Sequence, residues 1–372
     1  MSRFPDNWSK LNVVLCHDWL TGMRGGERVL DLLCEGFPGA PIFTLFHNTK
    51  AISGAINSHR IWTSWLQGVP GIFSNYRYLL PLFPSAIEML DAPPADLLIS
   101  TSHCVAKGLR PTKGARHLCY CFTPMRYAWT FYEEYFGHSR AKTLLAKMML
   151  PPLRRWDVQS SKRVDRFVAI SRHVQKRIKD FYGRESDVVY PPIAVDRWTP
   201  GPVRREGRFD LIVSALVPYK RIDLAVQAYT RLGRPLKIVG IGSETARLRR
   251  VAGPNIDFLG WQSDEEILAL YRSARLLVFP GEEDFGIVPL EAQACGCPVV
   301  AYGRGGILET VQDGGTGVFF ANQAVEDLLA AVEKCAATRW DPAVIRANAE
   351  RFSPQNFVDG LAQSIANCLK PV

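Results

Sequence analysis

The sequence predicts an α/β protein built of two Rossmann-like lobes facing a cleft, and three observations carry that prediction. Short apolar runs alternate with helical stretches in two successive sets. A break rich in proline and charge separates the sets. At 372 residues the chain is longer than a single hydrophobic core usually serves.

The first set comprises Leu11 to Leu15, Pro41 to Leu45, Asp96 to Ser100, His117 to Cys121, Arg166 to Ile170 and Asp187 to Tyr190. Such runs read as strands of a mostly parallel sheet covered by helices. After Pro191-Pro192 the chain passes through Trp198-Thr-Pro-Gly-Pro202 and the charged Arg204 to Arg208, which reads as a linker. The second set comprises Asp210 to Val213, Leu236 to Val239, Ile256 to Leu259, Arg275 to Phe279, Pro298 to Ala301 and Gly317 to Phe320. Two doubly wound sets predict lobes at 1–190 and 191–352. A helical tail over Asn356 to Leu369 belongs to a last segment, 353–372.

Composition is that of a soluble globular protein, with 47% hydrophobic and 22% charged residues. No apolar run approaches the ~20 residues that span a bilayer, and Met-Ser-Arg-Phe-Pro-Asp lacks a signal-peptide core, so a cytoplasmic protein is expected. Nine cysteines without a C-x-x-C pair, in apolar surroundings, predict buried free thiols rather than disulfides or zinc ligands. The formal charge of +9 is concentrated between residues 101 and 180, where 17 Lys and Arg face 5 Asp and Glu. Interleaved with Phe122, Trp129, Phe131, Tyr132, Tyr135, Phe136 and Met148 to Leu150, that segment reads as a surface for an anionic partner. A solvated basic face gives the same pattern. Nucleic acid is not expected, since no recognition module is present. An anionic membrane surface or a lipid diphosphate suits the segment better.

The most informative stretch is Glu283-Asp-Phe-Gly-Ile-Val-Pro-Leu-Glu291, which follows the apolar run ending at Pro280. Phe285-Gly286 reads as a bend, and Val288 to Cys295 as a short helix stopped by Gly296. Glu283 then hangs at a strand's carboxyl end, with Glu291 in the first helical turn. Free N–H groups of Gly286, Ile287 and Val288 at such a point attract phosphate. A glutamate there also favours the helix dipole without any ligand, by roughly 0.3–1 kcal/mol. Glu283 is the more telling residue, because capping alone prefers Ser, Asp or Asn.

Other constellations are weaker singly. Ser214-Ala-Leu-Val-Pro-Tyr-Lys220-Arg221 follows a strand, and glycine loops at Val239-Gly-Ile-Gly242-Ser and Gly303-Arg-Gly-Gly306 end two more. In the first lobe, Gly25-Gly26 lies between the first strand and its helix, where backbone amides can approach a diphosphate. A tight turn needs the same glycines. His103 ends a strand and points toward the expected cleft.

The Glu-x7-Glu spacing resembles the motif of retaining nucleotide-sugar glycosyltransferases of family 4, which have the GT-B fold. The resemblance covers nearly the whole chain and is strongest in the second lobe. It implies that Lys220, with Arg221, stabilises the leaving diphosphate, a role suited to a fixed cation. It implies that Glu291 holds the donor ribose and Glu283 the sugar hydroxyls and reacting ring. Phe285, Gly286, Ile287, Val288, Gly242, Gly25 and Gly26 complete the implied donor site. Leu259-Gly-Trp-Gln262 resembles the segment whose backbone meets the base. The first lobe then serves the acceptor, the second the nucleotide sugar, and the tail crosses back to the first lobe.

Cys119-Tyr-Cys-Phe-Thr-Pro-Met-Arg126-Tyr-Ala-Trp129 looks like the mannosyltransferase-type branch of bacterial surface-polysaccharide synthesis. This implies transfer of mannose or a related hexose to a lipid-linked glycan, by a protein peripheral on the inner face of the cell membrane. His103, Phe122 and Arg126 fall on the acceptor or sugar side. Two positions depart from the pattern: the arginine five residues before Lys220 is Ala215, and the histidine before Thr-Pro is Phe122. A phenyl ring cannot bond a sugar 6-hydroxyl, so a 6-deoxy donor suits it. No two aspartates stand two apart, so no metal or other cofactor is expected. An inactive donor-binding scaffold and a sugar-nucleotide epimerase are rival readings, the second disfavoured by the Glu-x7-Glu spacing.

Overall fold

A computed structural model describes residues 3–129, 140–201 and 207–370, with backbone alone over 140–147. Phe131, Tyr132, Tyr135 and Phe136 of the basic segment, and Pro202 and Arg204 of the linker, lie outside the described residues. The chain divides into two compact units, Met1–Tyr190 with Phe357–Val372, and Pro191–Asn356.

The first unit holds a parallel sheet of seven strands: β1 (Val13–His17), β2 (Ile42–Thr44), β3 (Ile61–Thr63), β4 (Leu97–Ser102), β5 (Arg116–Cys121), β6 (Arg166–Ala169) and β7 (Ser186–Val188), in the order β3-β2-β1-β4-β5-β6-β7. The central strands are buried along their length, as expected for a sheet covered on both faces. Only β3 has no counterpart among the predicted strands. Its three residues are partly or largely exposed, so no apolar run marks it. β1 starts at Val13, later than the apolar run does. Asn12 accounts for the shift, because its amide bonds Asp96 (2.9 Å) and its side chain the Pro94 carbonyl (2.8 Å).

The second unit repeats the plan with six parallel strands: β8 (Asp210–Val213), β9 (Leu236–Val239), β10 (Ile256–Gly260), β11 (Leu277–Phe279), β12 (Val299–Tyr302) and β13 (Gly317–Phe320), in the order β10-β9-β8-β11-β12-β13. Each unit has its own hydrophobic core, one around Trp19, Phe46 and Phe83, the other around Tyr229, Leu236 and Val332. The tail forms the helix Pro354–Leu369, whose Phe357 packs edge-on against Tyr120 at 5.5 Å while Ser364 donates to Asp187 at 2.9 Å. All nine cysteines are buried and unbridged, as their apolar surroundings predict.

A buried ion pair ties the first unit's helices to its sheet. The Lys107 ammonium meets the carboxylate of Asp157, which also accepts from Trp129 Nε1 and Tyr182 OH, each at 2.8 Å. Burial alone would lower the Lys107 pKa, but Asp157 raises it overall, so the ammonium keeps its charge. Asp157→Asn leaves that ammonium unanswered and should cost about 3–5 kcal/mol in urea unfolding. Lys107→Met added to it should restore part of the loss, and wild-type stability of the single variant would refute the pair's role.

Candidate functional site

In the second unit, the carboxyl ends of β8 and β11 bring two predicted residues together. Lys220 closes the 3-10 turn Pro218–Lys220, and its ammonium pairs with the carboxylate of Glu283. Gly281 permits this approach, since a Cβ there would stand 2.9 Å from the Lys220 Cα. Both side chains keep about a sixth of their surface exposed, 17% and 15%, so the pair can be reached from solvent.

Glycines also fix the backbone around Glu283. Gly305 has φ of 82° and forms a bridge with Glu283, while the Gly306 amide donates to the Glu283 carbonyl at 2.8 Å. A Cβ on Gly306 would lie 2.2 Å from the Asp284 carbonyl. On the other flank, a Cβ on Gly242 would lie 2.2 Å from the Leu216 carbonyl, and the Gly242 amide donates to Thr245 Oγ1 at 3.0 Å. Both loops therefore need glycine to seat the strands' ends, whatever ligand they also meet.

The helix after the bend runs Ile287–Ala294, one residue earlier than the spacing predicts. Glu291 is its fifth residue and so stands beyond the first turn, a correction to the predicted position. Gly286 precedes the helix with φ of 103° and no side chain caps it. The Ile287 and Val288 amides thus open the helix with no acceptor along its axis, and Pro289 has no N–H at all. Glu291 accepts from the buried Tyr271 OH at 3.3 Å. Burial first, and Glu291 second, push the Tyr271 hydroxyl well above its usual pKa, so it stays a donor. Phe285 is placed differently from the other donor candidates: its ring is buried edge-on against Phe352 at 5.7 Å, leaving only backbone for a ligand.

Arg221 has left-handed backbone, with φ of 53°. Its guanidinium bonds Asp223 (3.2 Å) and Gln323 (2.9 Å), and Gln323 in turn donates to the Pro280 carbonyl at 2.9 Å. Arg221 therefore braces the turn carrying Lys220 against the end of β11. Sequence reading also missed a buried amide network beneath the helix. Gln293 donates to Thr310 O (3.0 Å), and Asn348 donates to both Gln293 Oε1 (2.7 Å) and Thr310 O (2.9 Å). Only the polarity of Gln293 and Asn348, each set between two alanines, signals it.

The first unit gathers a second cluster at the carboxyl ends of β1, β4 and β5. Asp18, fully buried, accepts from the amides of His103 (2.6 Å), Cys104 (3.0 Å), Val105 (2.6 Å) and Ala106 (2.6 Å). The same carboxylate holds His103 Nδ1 at 2.9 Å. Burial would raise the Asp18 pKa, yet His103 and these hydrogen bonds take it far below the usual range. His17 bonds Thr101 at 2.7 Å, and burial lowers its pKa to about 4, so it is neutral at pH 7. Burial raises the pKa of Glu27, which accepts from the Arg24 amide at 3.1 Å.

Gly25 and Gly26 are the first residues of the helix Gly25–Gly36 rather than a loop before it, a second correction. The Phe122 ring lies against Gly26, where a Cβ would stand 3.2 Å from it. It is also edge-on to Tyr120 at 5.6 Å and to His17 at 6.3 Å, and 6.5 Å from His103. Phe122 thus packs among aromatics beside His103. Arg126 opens the short helix Arg126–Trp129 and is half-buried.

Much of the basic segment's charge is answered inside the unit. Arg163 meets Glu88 (2.6 Å) and the Gly108 carbonyl (3.0 Å), Arg166 meets Asp187 (2.6 Å), and Arg116 meets Asp165 (3.1 Å). Arg154 donates to the Ala128 carbonyl and lies over Trp129. Lys113, Arg155 and Lys162 are exposed.

Residues 201–352 match the family model described as "Glycosyl transferases group 1". D-inositol 3-phosphate glycosyltransferase of Rhodococcus erythropolis is 31% identical over 235 residues, 54% of this chain and 53% of that protein. The Mycobacterium tuberculosis protein of the same name is 30% identical over 247 residues, 58% of this chain and 51% of its own. The chain spans about half the length of the curated relatives it matches. Among solved structures, Anabaena HepE with UDP and glucose aligns with a TM-score of 0.70 at 17% identity, over 96% of this chain and 99% of that one. Sucrose-phosphate synthase of Thermosynechococcus elongatus aligns at 0.71 and 17%, over 96% and 98%. The fold is GT-B, with two parallel-sheet α/β domains. The family match falls within the second unit.

Asp18→Asn would turn an amide NH₂ toward backbone donors, so unfolding should be easier by at least about 1.5–3 kcal/mol. Because its folded pKa is depressed, the carboxylate's contribution is present above the unfolded value near 3.8 and disappears as pH falls through the folded one. Urea titrations of both proteins at pH 7 and pH 3 should therefore differ less at pH 3; an unchanged gap would contradict the assignment.

Proposed function

We propose that this protein is a retaining, metal-independent glycosyltransferase that moves a hexose, mannose or a relative, from a nucleotide diphosphate to a lipid-linked glycan. The observation that carries the reading is the Lys220–Glu283 pair beside the uncapped helix start at Ile287, inside the region matching the glycosyl transferase model. A cation and free amides at one point suit a diphosphate that gains charge as it leaves. Glu283 then holds the sugar, and Glu291, steadied by Tyr271, the ribose. The names of neighbours that bind UDP and UDP-glucose support a nucleotide-sugar donor.

For the stereochemistry, the ion pair favours one course. A carboxylate engaged by an ammonium is a weak nucleophile, so Glu283 is poorly suited to form a covalent glycosyl intermediate of the retaining-glycosidase kind. Same-face displacement, in which the departing phosphate takes the acceptor proton, fits better. Phe122 beside His103 favours a donor without a 6-hydroxyl, since the ring offers no hydrogen bond there. We place the protein peripherally on the inner face of the cell membrane. Among the described residues no helix is long and apolar enough to cross a membrane.

A second reading, a donor-binding but inactive scaffold, draws on Ala215 and Phe122, which replace an expected cation and an expected histidine. Incubation with nucleotide sugars and membrane lipid extract, read by mass spectrometry, separates the two. Glycosylated lipid is expected, whereas donor binding by calorimetry without any product would favour the scaffold.

Glu291→Gln and Lys220→Ala should each lower kcat/KM by about ten-fold or more, as loss of a bond to a charged group costs ~1.5–3 kcal/mol. Folded variants with wild-type kinetics would remove those residues from the site. Turnover should also persist in EDTA, and a loss restored by magnesium would overturn the metal-free assignment.

A further inference from the structure

We infer that the edge of the first sheet, β3 and the helical turns Trp65–Gly68, Ile72–Asn75, Tyr76–Leu82 and Phe83–Glu88 that follow it, is the surface by which the protein seats on an anionic lipid bilayer. The inference deepens the proposed reading, resting on its lipid-linked acceptor, and moves the contact away from the basic segment.

The turns have two sides. Leu66, Ile72, Tyr76, Leu80 and Phe83 point into the core, where Tyr76 packs 5.3 Å from Phe46 and 5.2 Å from Trp19. Between them Trp62, Trp65, Phe73, Tyr78, Leu82 and Met89 are 40–74% exposed. Half of the twelve exposed large apolar side chains among the described residues therefore fall within 28 residues, so they are not the scattered singles of an ordinary surface. Their inward neighbours hold them in place, so little order remains to be gained on docking.

Charge decides what covers them. Between Glu35 and Glu88 the chain has no Asp or Glu at all, while Lys50, Arg60 and Arg77 are present. The Arg60 guanidinium lies 4.4 Å over the Trp62 ring, and Arg77 lies 4.7 Å over Tyr76. Cations beside exposed Trp, Tyr, Phe and Leu match the chemistry of a headgroup boundary, and the one carboxylate in these turns, Glu88, is already taken by Arg110 and Arg163. Arginine stems cover apolar surface while their heads reach lipid phosphate. β3 is an edge strand, so nothing else in its sheet covers that side.

The test uses the full chain and vesicles of phosphatidylcholine with or without phosphatidylglycerol. Wild-type protein should sediment with the anionic vesicles in a salt-sensitive way, with a blue shift of tryptophan emission. The triple variant Trp62→Ser, Trp65→Ser, Phe73→Ser should bind about ten-fold more weakly or worse, since interfacial affinity scales with buried apolar area. Tyr78→Ser with Met89→Gln, at the two most exposed positions, gives a gentler variant should the triple one melt early. Arg155→Gln with Lys162→Gln, in the basic segment, should bind within about two-fold of wild type. Vesicle binding equal to wild type in the folded apolar variants would overturn the inference. So would a wild-type dimer in ultracentrifugation that the same changes abolish, which would assign the surface to a second copy. Donor binding by calorimetry on the same preparations reads the proposed activity separately, and is expected unchanged.

Discussion

The second unit is organised around a close approach of two strand ends, with a lysine and a glutamate brought together there. An ammonium and a carboxylate on neighbouring loops would drift apart in water, because an exposed pair contributes little. Here Gly281 lets the Lys220 turn touch the β11 end, Gly305 and Gly306 clamp the Glu283 backbone, and Arg221 with Gln323 locks the two loops together. The pair is thus held by main-chain geometry rather than by its own attraction. That arrangement suits the proposed transfer, since a cation already in place when a diphosphate gains charge need not be reorganised during the reaction.

How much of this was legible in the sequence follows from what each feature depends on. Of the thirteen strands among the described residues, twelve coincide with the predicted runs, because most of them are buried in a sheet covered on both faces and so are largely apolar. β3 escaped since it is short, lies at an edge and carries Trp62 into solvent. Glu283 and Glu291 stood out by their spacing and Lys220 by its place after a strand, whereas the residues that brace them did not. Tyr271, Gln293, Asn348 and Asp18 act through contacts between segments far apart in the chain, and no local period encodes a contact of that kind. The glycine loops show the converse. Their presence was plain, but the reason for it, clearance for Leu216, Asp284 and Glu283 backbone, appears only in three dimensions.

Net charge proved a poor guide to surface. The segment 101–180 looked like a polycation, yet Lys107, Arg116, Arg154, Arg163 and Arg166 are spent on carboxylates, carbonyls or ring faces within the unit. A sequence count treats each lysine and arginine as solvated. The helix Arg140–Ser161 and its neighbours instead use several as internal ties, much as a buried pair fixes one arrangement among many. Absence of acidic residues, as between Glu35 and Glu88, is more informative, for a missing carboxylate cannot be hidden by folding.

The two units differ in how they prepare polar groups. Glu283 and Lys220 answer each other and stay open to solvent, so that in the proposed reaction an arriving phosphate would compete for the lysine and free the carboxylate for the sugar. Asp18 is closed: four backbone amides and His103 already satisfy it, which makes it a positioning residue with nothing left to offer a ligand. Its effect is on His103, whose Nδ1 it fixes; in the proposed reaction the other nitrogen is the group that would meet a substrate. Phe122 sits beside that ring, against Gly26 and His17, where the related enzymes of the proposed class would carry a second polar group. With His17 buried and bonded to Thr101, His103 is the half-buried imidazole beside Phe122, and it reads fewer hydroxyls than it would with another histidine in place of that phenyl ring. The sugar specificity proposed for this protein rests on that difference in hydrogen-bonding capacity, rather than on the size of the pocket.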